Sequence, residues 1–280
     1  MSDIFIPKNT ADILELLKNK NAQICAGGTN VFVDRKKGKN TGDLILLRDI
    51  KDLSYIKKDN AFWHIGPLTT FYDIEGFKTG DKCLLALKKA ASLVGGPQIR
   101  NAGTIGGNIV SASPSADSVP VLMALDASVT LLSHCGSREE KLKDFMLGVN
   151  KVDIRPDELL YDISIPLQSG KCAFYKVGKR NALSIAVVNQ AVYMEEENGI
   201  ITKIRIAIGS CAPKCVRAEK TEQLISAMSV KDVLCPGFKK ELSKKMSLDI
   251  SPISDIRADA DYRMSVAVNV LLENLRVLEG

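Results

Sequence analysis

Two glycine-rich turns, far apart in the sequence, constrain the fold of this chain most strongly. The first is AGGTN (26–30), after a strand-like run, and the second is GTIGGN (103–108), after a loop. Glycine permits positive φ and leaves backbone N–H groups open to a ligand, so two such turns can hold one diphosphate between them. Neither turn has the spacing of a phosphate-loop NTPase or of a Rossmann fold. Each turn alone is explained equally well as a tight turn that needs glycine.

The carboxylate of Asp117 follows the second turn, after the small residues SASPSA. An acid placed behind a phosphate-binding loop can accept hydrogen bonds from ribose or ribityl hydroxyls. The same residue also suits the N-cap of a helix over SVPVLMALDA. Both interpretations of Asp117 are open at this point.

Short strands and helices alternate in the first part of the chain. Helices are predicted over NTADILELLKNK (9–20), with Asn9 or Thr10 as N-cap, and over DKCLLALKKAASLV (81–94), which a Gly-Gly-Pro signal ends. Strand-like runs are AQIC, DLILL and AFWHI, and a further strand follows the PDE turn and closes at Pro166. This part of the chain therefore has an α+β pattern.

The pattern changes at the polar stretch QSGK (168–171), which is predicted to be a linker. Long strands follow it, with a hairpin turn at Asn198–Gly199. Helices are then predicted at about 217–228, at 231–246 with an interruption at Pro236, and over DADYRMSVAVNVLLENLRVL. The sequence thus predicts a C-terminal domain in which a three-stranded antiparallel sheet packs on helices.

Composition and charge argue against several function classes. The formal charge of +5 is spread over the chain without a basic stripe, so nucleic-acid binding is not expected. No apolar run is long enough for a bilayer and the N-terminus lacks a signal-peptide pattern, so a cytoplasmic protein is expected. The seven cysteines form no C-x-x-C pair, and His64 and His134 complete no hydrolytic or metal motif. The chain is therefore expected to hold no metal, and no catalytic residue is assigned.

Eight segments in a fixed order carry a resemblance that spans nearly the whole chain. They are AGGTNV (26–31), IGPLTT (65–70), GGPQIRNAGTIGGNI (95–109), SPSAD (113–117), ALDASVTL (124–131), PDELL (156–160), YKVGKRNALSIAVVN (175–189) and DYRMSVA (261–267). Together they resemble the FAD-binding (medium) subunit of the molybdenum hydroxylases, the family that includes xanthine dehydrogenase and aerobic carbon monoxide dehydrogenase. Each segment is modest, but their joint occurrence makes the resemblance specific.

The resemblance implies a fold and a set of cofactor contacts. The fold is an α+β, two-subdomain FAD-binding fold of the vanillyl-alcohol-oxidase or para-cresol-methylhydroxylase type over 1–167, with subdomains of about 1–54 and 55–167. A C-terminal flavoprotein domain over 171–280 follows, and non-covalent FAD lies extended between the two. The implied contact residues are Ile24, Cys25, Ala26, Gly27, Gly28, Thr29, Asn30 and Val31 in a first pyrophosphate loop, Thr104, Ile105, Gly106, Gly107 and Asn108 in a second, and Asp117, Leu160, Lys176 and Ile185.

Three positions depart from the family pattern. Asn30 replaces the usual aspartate after AGGT, Pro67 replaces an alanine, and Ser184 replaces the aspartate before IA. Asn30 still offers backbone and amide hydrogen bonds. Loss of the carboxylate at Ser184 is expected to change flavin tuning or the docking of an acceptor.

The resemblance also implies an oxidoreductase subunit within a larger complex. A partner subunit would carry two [2Fe–2S] clusters and another the molybdopterin cofactor, and electrons would pass through the clusters to FAD and on to NAD or another acceptor. The substrate would belong to a partner and is not determined by this sequence. Two alternatives stay open: a self-contained flavin oxidoreductase, disfavoured because no base lies beside the flavin motifs, and a non-redox nucleotide-binding assembly protein.

Overall fold

The computed structural model describes residues 2–19, 22–180 and 183–279. Its first unit is a small parallel sheet with strand order β1-β3-β2, formed by Ile4–Phe5, Leu44–Leu46 and Gln23–Cys25. Helix α1 (Thr10–Asn19) covers it, because the apolar face predicted from sequence buries Ile13 against the strand residue Ile45. Asn9 caps the helix by accepting from the Asp12 N–H at 2.9 Å, and Lys20, the last residue of the predicted helix, lies outside the described residues.

The second unit is an antiparallel five-stranded sheet with order β4-β5-β10-β6-β7. Its strands are Ile56–Lys58, Phe62–Ile65, Leu159–Pro166, Ser128–Ser133 and Gly136–Lys141. A two-stranded hairpin, β8 (Met146–Gly148) and β9 (Lys151–Val152), lies beside it. The strand predicted after the PDE turn is thus central to this sheet, which explains why its apolar residues are almost all buried.

Helices connect the strands of these two sheets, and most of them bury residues in the core of the five-stranded sheet. They are α2 (Val31–Lys36), α3 (Phe71–Gly76), α4 (Lys82–Ser92), α5 (Pro97–Ala102), α6 (Ile105–Val110), α7 (Ser118–Ala124) and α8 (Leu142–Phe145), with a 3-10 turn at Lys51–Leu53. Asp81 caps α4 with its carboxylate, and α4 ends just before the predicted Gly-Gly-Pro stop. Every residue of α7 is buried, which makes it the central helix of the molecule.

The C-terminal unit is an antiparallel sheet of four strands, so the prediction of three strands was wrong by one. The strands are β11 (Lys171–Gly178), β12 (Ala186–Glu197), β13 (Ile200–Gly209) and β14 (Val216–Arg217) in that order. The additional strand is only two residues long, too short to have a periodic pattern. Lys171, predicted to be in the linker, already pairs with Met194 in the sheet.

The helices of this unit match the predicted segments, except that the first is shorter than the sequence predicts. They are α9 (Glu219–Ile225), α10 (Val230–Leu234), α11 (Lys239–Met246) and α12 (Ala260–Glu279). The helix predicted at 217–228 is shortened because Arg217 pairs in β14 and the backbone at Ser226 is extended. The predicted interruption at Pro236 is confirmed as a 3-10 turn over Pro236–Phe238.

The two halves of the chain share one hydrophobic core. Phe174 and Tyr193 of the C-terminal sheet belong to the same buried cluster as α4 and α7. Buried Arg205 reinforces this junction, because its Nε donates to the carbonyl of Ala124 at 2.6 Å while its guanidinium stacks on the Tyr193 ring, 4.1 Å from the centroid. No helix in the described part of the chain is long and apolar enough to cross a membrane.

Candidate functional site

The two glycine-rich turns predicted from sequence lie against each other. A Cβ atom at Gly27 would lie 1.6 Å from the carbonyl oxygen of Ala102, the residue that immediately precedes the second turn. Gly28 adopts a φ of +70°, in the left-handed region that favours glycine. Because the contact is between two stretches of main chain, a side chain at Gly27 would separate the turns.

The first turn presents unused backbone donors. From Gly27 to Val31, no N–H group donates to an acceptor within the described residues, although the Gly28 and Asn30 carbonyls accept from Phe32 and Asp34. These donors lie on a short connection between β2 and α2. A run of free N–H groups in a glycine turn is the arrangement that binds phosphate oxygens.

The backbone donors of the second turn are satisfied by other groups of the protein. The N–H groups of Ile105 and Gly106 donate to the carbonyls of Thr69 and Pro67, each at 3.0 Å, and the Gly107 N–H donates to the Thr104 hydroxyl at 3.1 Å. Gly106 is buried, and a Cβ there would lie 2.6 Å from the Pro67 side chain. The bare backbone at Gly106 is therefore explained by close packing on Pro67, while Gly107 is the exposed glycine of this turn.

Asp117 and Lys176, both predicted from the family pattern, meet in a buried ion pair. Lys176 Nζ lies 2.5 Å from Asp117 Oδ2 and also donates to the Leu93 carbonyl at 2.9 Å. Asn189, which the sequence analysis did not select, donates from Nδ2 to Asp117 Oδ1 at 2.9 Å. Burial raises the pKa of Asp117, and the contacts with Lys176 and Asn189 oppose that rise. Asp117 stands at the N-cap position of α7, but its side chain accepts no capping hydrogen bond from that helix.

A cavity of about 380 Å³ lies next to this ion pair. It is lined by Ser92, Leu93, Gly95, Pro97, Arg100, Lys176, Gly178, Arg180, Leu183 and Ser184. The ionisable groups of this lining are three cations, from Arg100, Lys176 and Arg180, while Leu93, Pro97 and Leu183 are apolar. Arg100 is held in place by Glu75, with Nε 2.9 Å from Oε2. Apolar walls with a few cationic groups are the composition expected of a site for an apolar group that carries or gains negative charge.

The cavity and the glycine turns are connected through α5 and through contacts around Asp117. Arg100 lies in α5, whose last residue, Ala102, contacts the first turn and leads into the second. Asn108 of the second turn accepts from the Ser118 hydroxyl at 2.7 Å, directly beside Asp117. The structure therefore brings together the first turn, the second turn, Asp117 and Lys176, as the sequence predicts.

Several predicted site residues have buried side chains and could contact a cofactor through little more than their main-chain atoms. Cys25, Ile105 and Leu160 are buried, and burial raises the pKa of the Cys25 thiol. Leu160 lies beyond the part of β10 that pairs with β5, next to a bulge at Tyr161. Ile185 is half exposed and stands outside the cavity lining, which contains Leu183 and Ser184 instead. Of the remaining predicted contacts, Ile24, Ala26, Thr29 and Val31 are partly buried and Asn30 is exposed.

Among the residues that were not predicted from the sequence are four that hold or charge this site. Leu93, Arg100 and Arg180 line the cavity, and Asn189 holds Asp117. All but Leu93 lie inside segments that carry the resemblance, but only their tertiary contacts distinguish them from neighbours. Asn181 and Ala182, in one of those segments, lie outside the described residues.

FAD fits this arrangement on three observations of the structure. The first turn has free N–H donors for a pyrophosphate. Gly27 carries no side chain that could obstruct these donors, and its contact with Ala102 leaves no room for one. The cavity is apolar on several sides and is lined by the donor groups of Arg100, Lys176 and Arg180. Asp117, whose carboxylate is fixed by Lys176 and Asn189 beside the cavity, offers an acceptor for a cofactor hydroxyl.

Comparisons with known proteins agree with this architecture. The family model described as the FAD binding domain in molybdopterin dehydrogenase matches residues 1–168, and that of the CO dehydrogenase flavoprotein C-terminal domain matches 173–277. The chain is 35% identical over 210 residues to the nicotinate dehydrogenase FAD-subunit of Eubacterium barkeri, covering 71% of each chain. It is 32% identical over 249 residues to the glyceraldehyde dehydrogenase medium chain of Sulfolobus acidocaldarius, covering 89% of this chain and 87% of that one.

Solved structures extend the agreement to three dimensions. A chain of the reconstituted CO dehydrogenase from Oligotropha carboxidovorans superposes with a TM-score of 0.93 and 26% identity, covering 100% of this chain and 98% of the other. A chain of quinoline 2-oxidoreductase from Pseudomonas putida shares the fold, with a TM-score of 0.89 at 22% identity. The α+β FAD-binding fold expected from sequence is confirmed. From its turns, its cavity and these relatives, the chain belongs to the FAD-binding medium subunits of the molybdenum hydroxylases, and is an oxidoreductase component with FAD as cofactor.

Proposed function

We propose that this chain holds FAD across its two glycine turns and the cationic cavity, and passes electrons from an iron–sulfur partner to an acceptor. The observation that carries the proposal is that α5 joins the two features: Ala102 packs on the first turn with its free donors, and Arg100 lines the cavity beside Lys176. Bound FAD supplies the chemistry, because it accepts electrons one at a time and releases them as a pair. The chain's own residues provide placement and charge.

The proposed contacts differ in kind along the site. The N–H groups from Gly27 to Val31 would bind the pyrophosphate, supported by the second turn, with Gly107 and Asn108 on its more accessible side. Ile24, Cys25, Ala26, Thr104, Ile105, Gly106 and Leu160 would contribute main-chain contacts or packing, and Asn30 its amide. Asp117 would accept from a cofactor hydroxyl, and Ile185 would lie at the rim of the ring site.

Positive charge around the cavity supports the redox part of the proposal. Arg100, Lys176 and Arg180 line the space in which the ring would lie, and cations stabilise the negative charge that electrons add. Arg100 and Lys176 are each paired with a carboxylate, so the uncompensated charge comes from Arg180, which has no carboxylate partner among the described residues. The lining contains no carboxylate and no histidine. A self-contained oxidoreductase that removes a substrate proton needs such a base, so this composition favours electron transfer over that alternative.

The relatives suggest what the partners are. The names of the carbon monoxide dehydrogenase medium chains from Hydrogenophaga pseudoflava and Afipia carboxidovorans mark them as one subunit among several. By analogy, we propose an iron–sulfur subunit and a molybdopterin subunit as partners, with NAD as one candidate acceptor. Purification of the native complex followed by mass spectrometry tests this, and isolation as a lone, active flavoenzyme would contradict it.

Electron transfer is tested directly by mixing. The iron–sulfur partner, reduced with dithionite and freed of excess reductant, is mixed anaerobically with the FAD-loaded chain. We expect the visible flavin absorbance to bleach and to return when NAD or a quinone is added. Flavin that stays oxidised in contact with the reduced partner refutes the electron-transfer function, and would favour the non-redox assembly alternative.

Cofactor binding is tested separately with Lys176→Met. The substitution removes a charged group from the cavity, and we expect FAD to bind roughly tenfold to a hundredfold more weakly. Lys203→Met is the matched control, because Lys203 is exposed on the distal part of β13. Titration of both flavin-free variants with FAD, followed by flavin fluorescence, gives the comparison. Equal affinities in the two variants would exclude Lys176 from the site.

A further inference from the structure

Asn189 reaches the Asp117 carboxylate from the C-terminal sheet. It lies in β12, is fully buried, and donates from Nδ2 to Asp117 Oδ1 at 2.9 Å and to the carbonyl of Ala116 at 3.2 Å. These hydrogen bonds join a strand of one half of the chain to the turn before α7 in the other. Asn189 is not among the residues expected to contact the cofactor.

The two oxygens of Asp117 are held separately. Oδ1 accepts from Asn189, and Oδ2 accepts from Lys176, which is itself fixed by the Leu93 carbonyl. An ion pair alone leaves a carboxylate free to rotate about its axis, whereas two donors on different oxygens define its plane. The second donor therefore sets the direction in which the remaining lone pairs of Asp117 point.

The amide of Asn189 holds this orientation although its own oxygen is unsatisfied. Oδ1 has no partner among the described residues, and the acceptors around Nδ2 prevent the amide from flipping to relieve it. Gly209, opposite on β13, makes room for that oxygen, because a Cβ there would lie 2.2 Å from it. A buried acceptor without a donor is destabilising, so this amide is not explained by stability alone.

We propose that Asn189 is a positioning residue that holds the Asp117 carboxylate in the orientation and charge state in which it contacts FAD. The inference rests on the proposed function, in which Asp117 accepts a hydrogen bond from a cofactor hydroxyl. Asn189 acts through Asp117 and needs no contact with FAD itself.

The surroundings of Asp117 determine how it responds to pH. Lys176 from β11 is the charged side chain in contact with it in the described part of the chain, α4 contributes the Leu93 carbonyl, and β12 contributes Asn189. Burial raises the pKa of Asp117, and Asn189 is one of the groups that oppose the rise. Removal of this donor should therefore let Asp117 take up a proton at higher pH.

The test uses two substitutions with opposite expected pH dependence. Asn189→Asp keeps the shape of the side chain but sets two carboxylates against each other, and one of them must hold a proton to imitate the amide. Asn189→Leu removes the Nδ2 donor, so the Asp117 carboxylate should become protonated more readily as the pH falls. Each full-length, flavin-free variant is titrated with FAD between about pH 6 and about pH 8, with circular dichroism as a check on folding.

We expect Asn189→Asp to bind FAD nearly as the wild type does at the acidic end and roughly tenfold more weakly at the alkaline end. Asn189→Leu should weaken most at the acidic end, while the wild type changes by less than about threefold across the range. The double variant Asp117→Asn with Asn189→Asp should lose the alkaline effect, because only one carboxylate remains. A loss of affinity that is uniform with pH in either single variant, or no loss, overturns the positioning role.

Asp117→Asn separates this inference from the proposed function. If that variant binds FAD as tightly as the wild type, Asp117 is not a cofactor anchor, and the proposed function of this residue fails together with the inference. If Asp117→Asn weakens FAD binding while the Asn189 variants show no pH-dependent loss, only the inference fails. Should Asn189→Asp not fold, Asn189→Leu alone decides, because its acid-side loss has no other source in the site.

Discussion

Substitution of Gly27 by alanine should damage both the stability of the chain and its affinity for FAD. The added Cβ would lie 1.6 Å from the Ala102 oxygen and 2.5 Å from the Ala102 carbonyl carbon. An ordinary carbon–oxygen contact needs roughly 3.2–3.5 Å, so the turns must separate by about 1.5–2 Å. Both partners are main chain, and no rotamer change can relieve the contact. Overpacking of this kind destabilises proteins by roughly 1–3 kcal/mol.

The same displacement moves the donors of the first turn. A shift of about 1.5 Å lengthens a hydrogen bond beyond its useful range, and breaking one N–H hydrogen bond to a charged phosphate weakens binding by about 1.5–3 kcal/mol. We therefore expect FAD to bind Gly27→Ala at least roughly tenfold more weakly than the wild type. The assays are urea unfolding of the flavin-free chain and fluorescence titration with FAD.

Gly42→Ala is the matched control, because a Cβ at Gly42 meets no atom within 4 Å and its φ is not positive. It makes the same chemical change in an exposed connection of the same unit. If Gly27→Ala unfolds at the same urea concentration as Gly42→Ala and binds FAD equally well, the turns are not in rigid contact. That result would refute the reasoning from Gly27 to the pyrophosphate site.

Three other parts of the molecule give predictions that unfolding measurements can check. Gly106→Ala should destabilise the chain by about 1–3 kcal/mol in urea unfolding, because the added Cβ meets Pro67. Gly107→Ala should change stability little, because its Cβ meets only a hydroxyl at 3.0 Å. Equal losses of stability in the two variants would contradict this prediction. Burial lowers the pKa of His64, but Asp162 at 2.7 Å and Asp59 raise it more, so protonated His64 stabilises the fold. Unfolding free energy should decrease as pH rises from about 6 to 8, and His64→Asn should remove that decrease; an unchanged pH profile would count against it. Arg205→Met should lower the unfolding free energy by about 2–3 kcal/mol, because it removes the hydrogen bond to the Ala124 carbonyl and the stacking on Tyr193. A decrease below about 0.5 kcal/mol would show that Arg205 does not stabilise the junction between the two halves.

The sequence predicts those parts of the molecule whose signal is local. The helix at Thr10–Asn19 has an amphipathic period and a cap, and the long strands β11 to β13 are rich in apolar and β-branched residues, so both were predictable. Strand β14 was not, because two residues carry no period and pairing with β13 alone makes them a strand. The ends of α9 were set by tertiary contacts in the same way.

The candidate site shows the same division. The glycine turns and Asp117 have a chemical signature in the sequence, and the family pattern relates them to one cofactor. Gly106 has no side chain because it packs against Pro67, and not because a phosphate needs the space. This reason depends on a contact between distant segments, which the local sequence does not show. Asn189 has no signal of its own, since it lies within a buried strand and its chemical role depends on a partner in the other half of the chain.

The shared core has a practical consequence for anyone who dissects this protein. Helices α4 and α7 pack against Phe174, Tyr193 and the Arg205 guanidinium of the C-terminal sheet. A fragment that ends near residue 167 would therefore expose an apolar surface of those helices to water. The isolated first half should aggregate or need a solubilising partner, and the isolated second half would lack the support under its sheet. Folding and FAD binding of both halves should therefore require the whole chain. A hybrid with the C-terminal half of a relative should fold only if the residues that form the shared contact are exchanged together with that half.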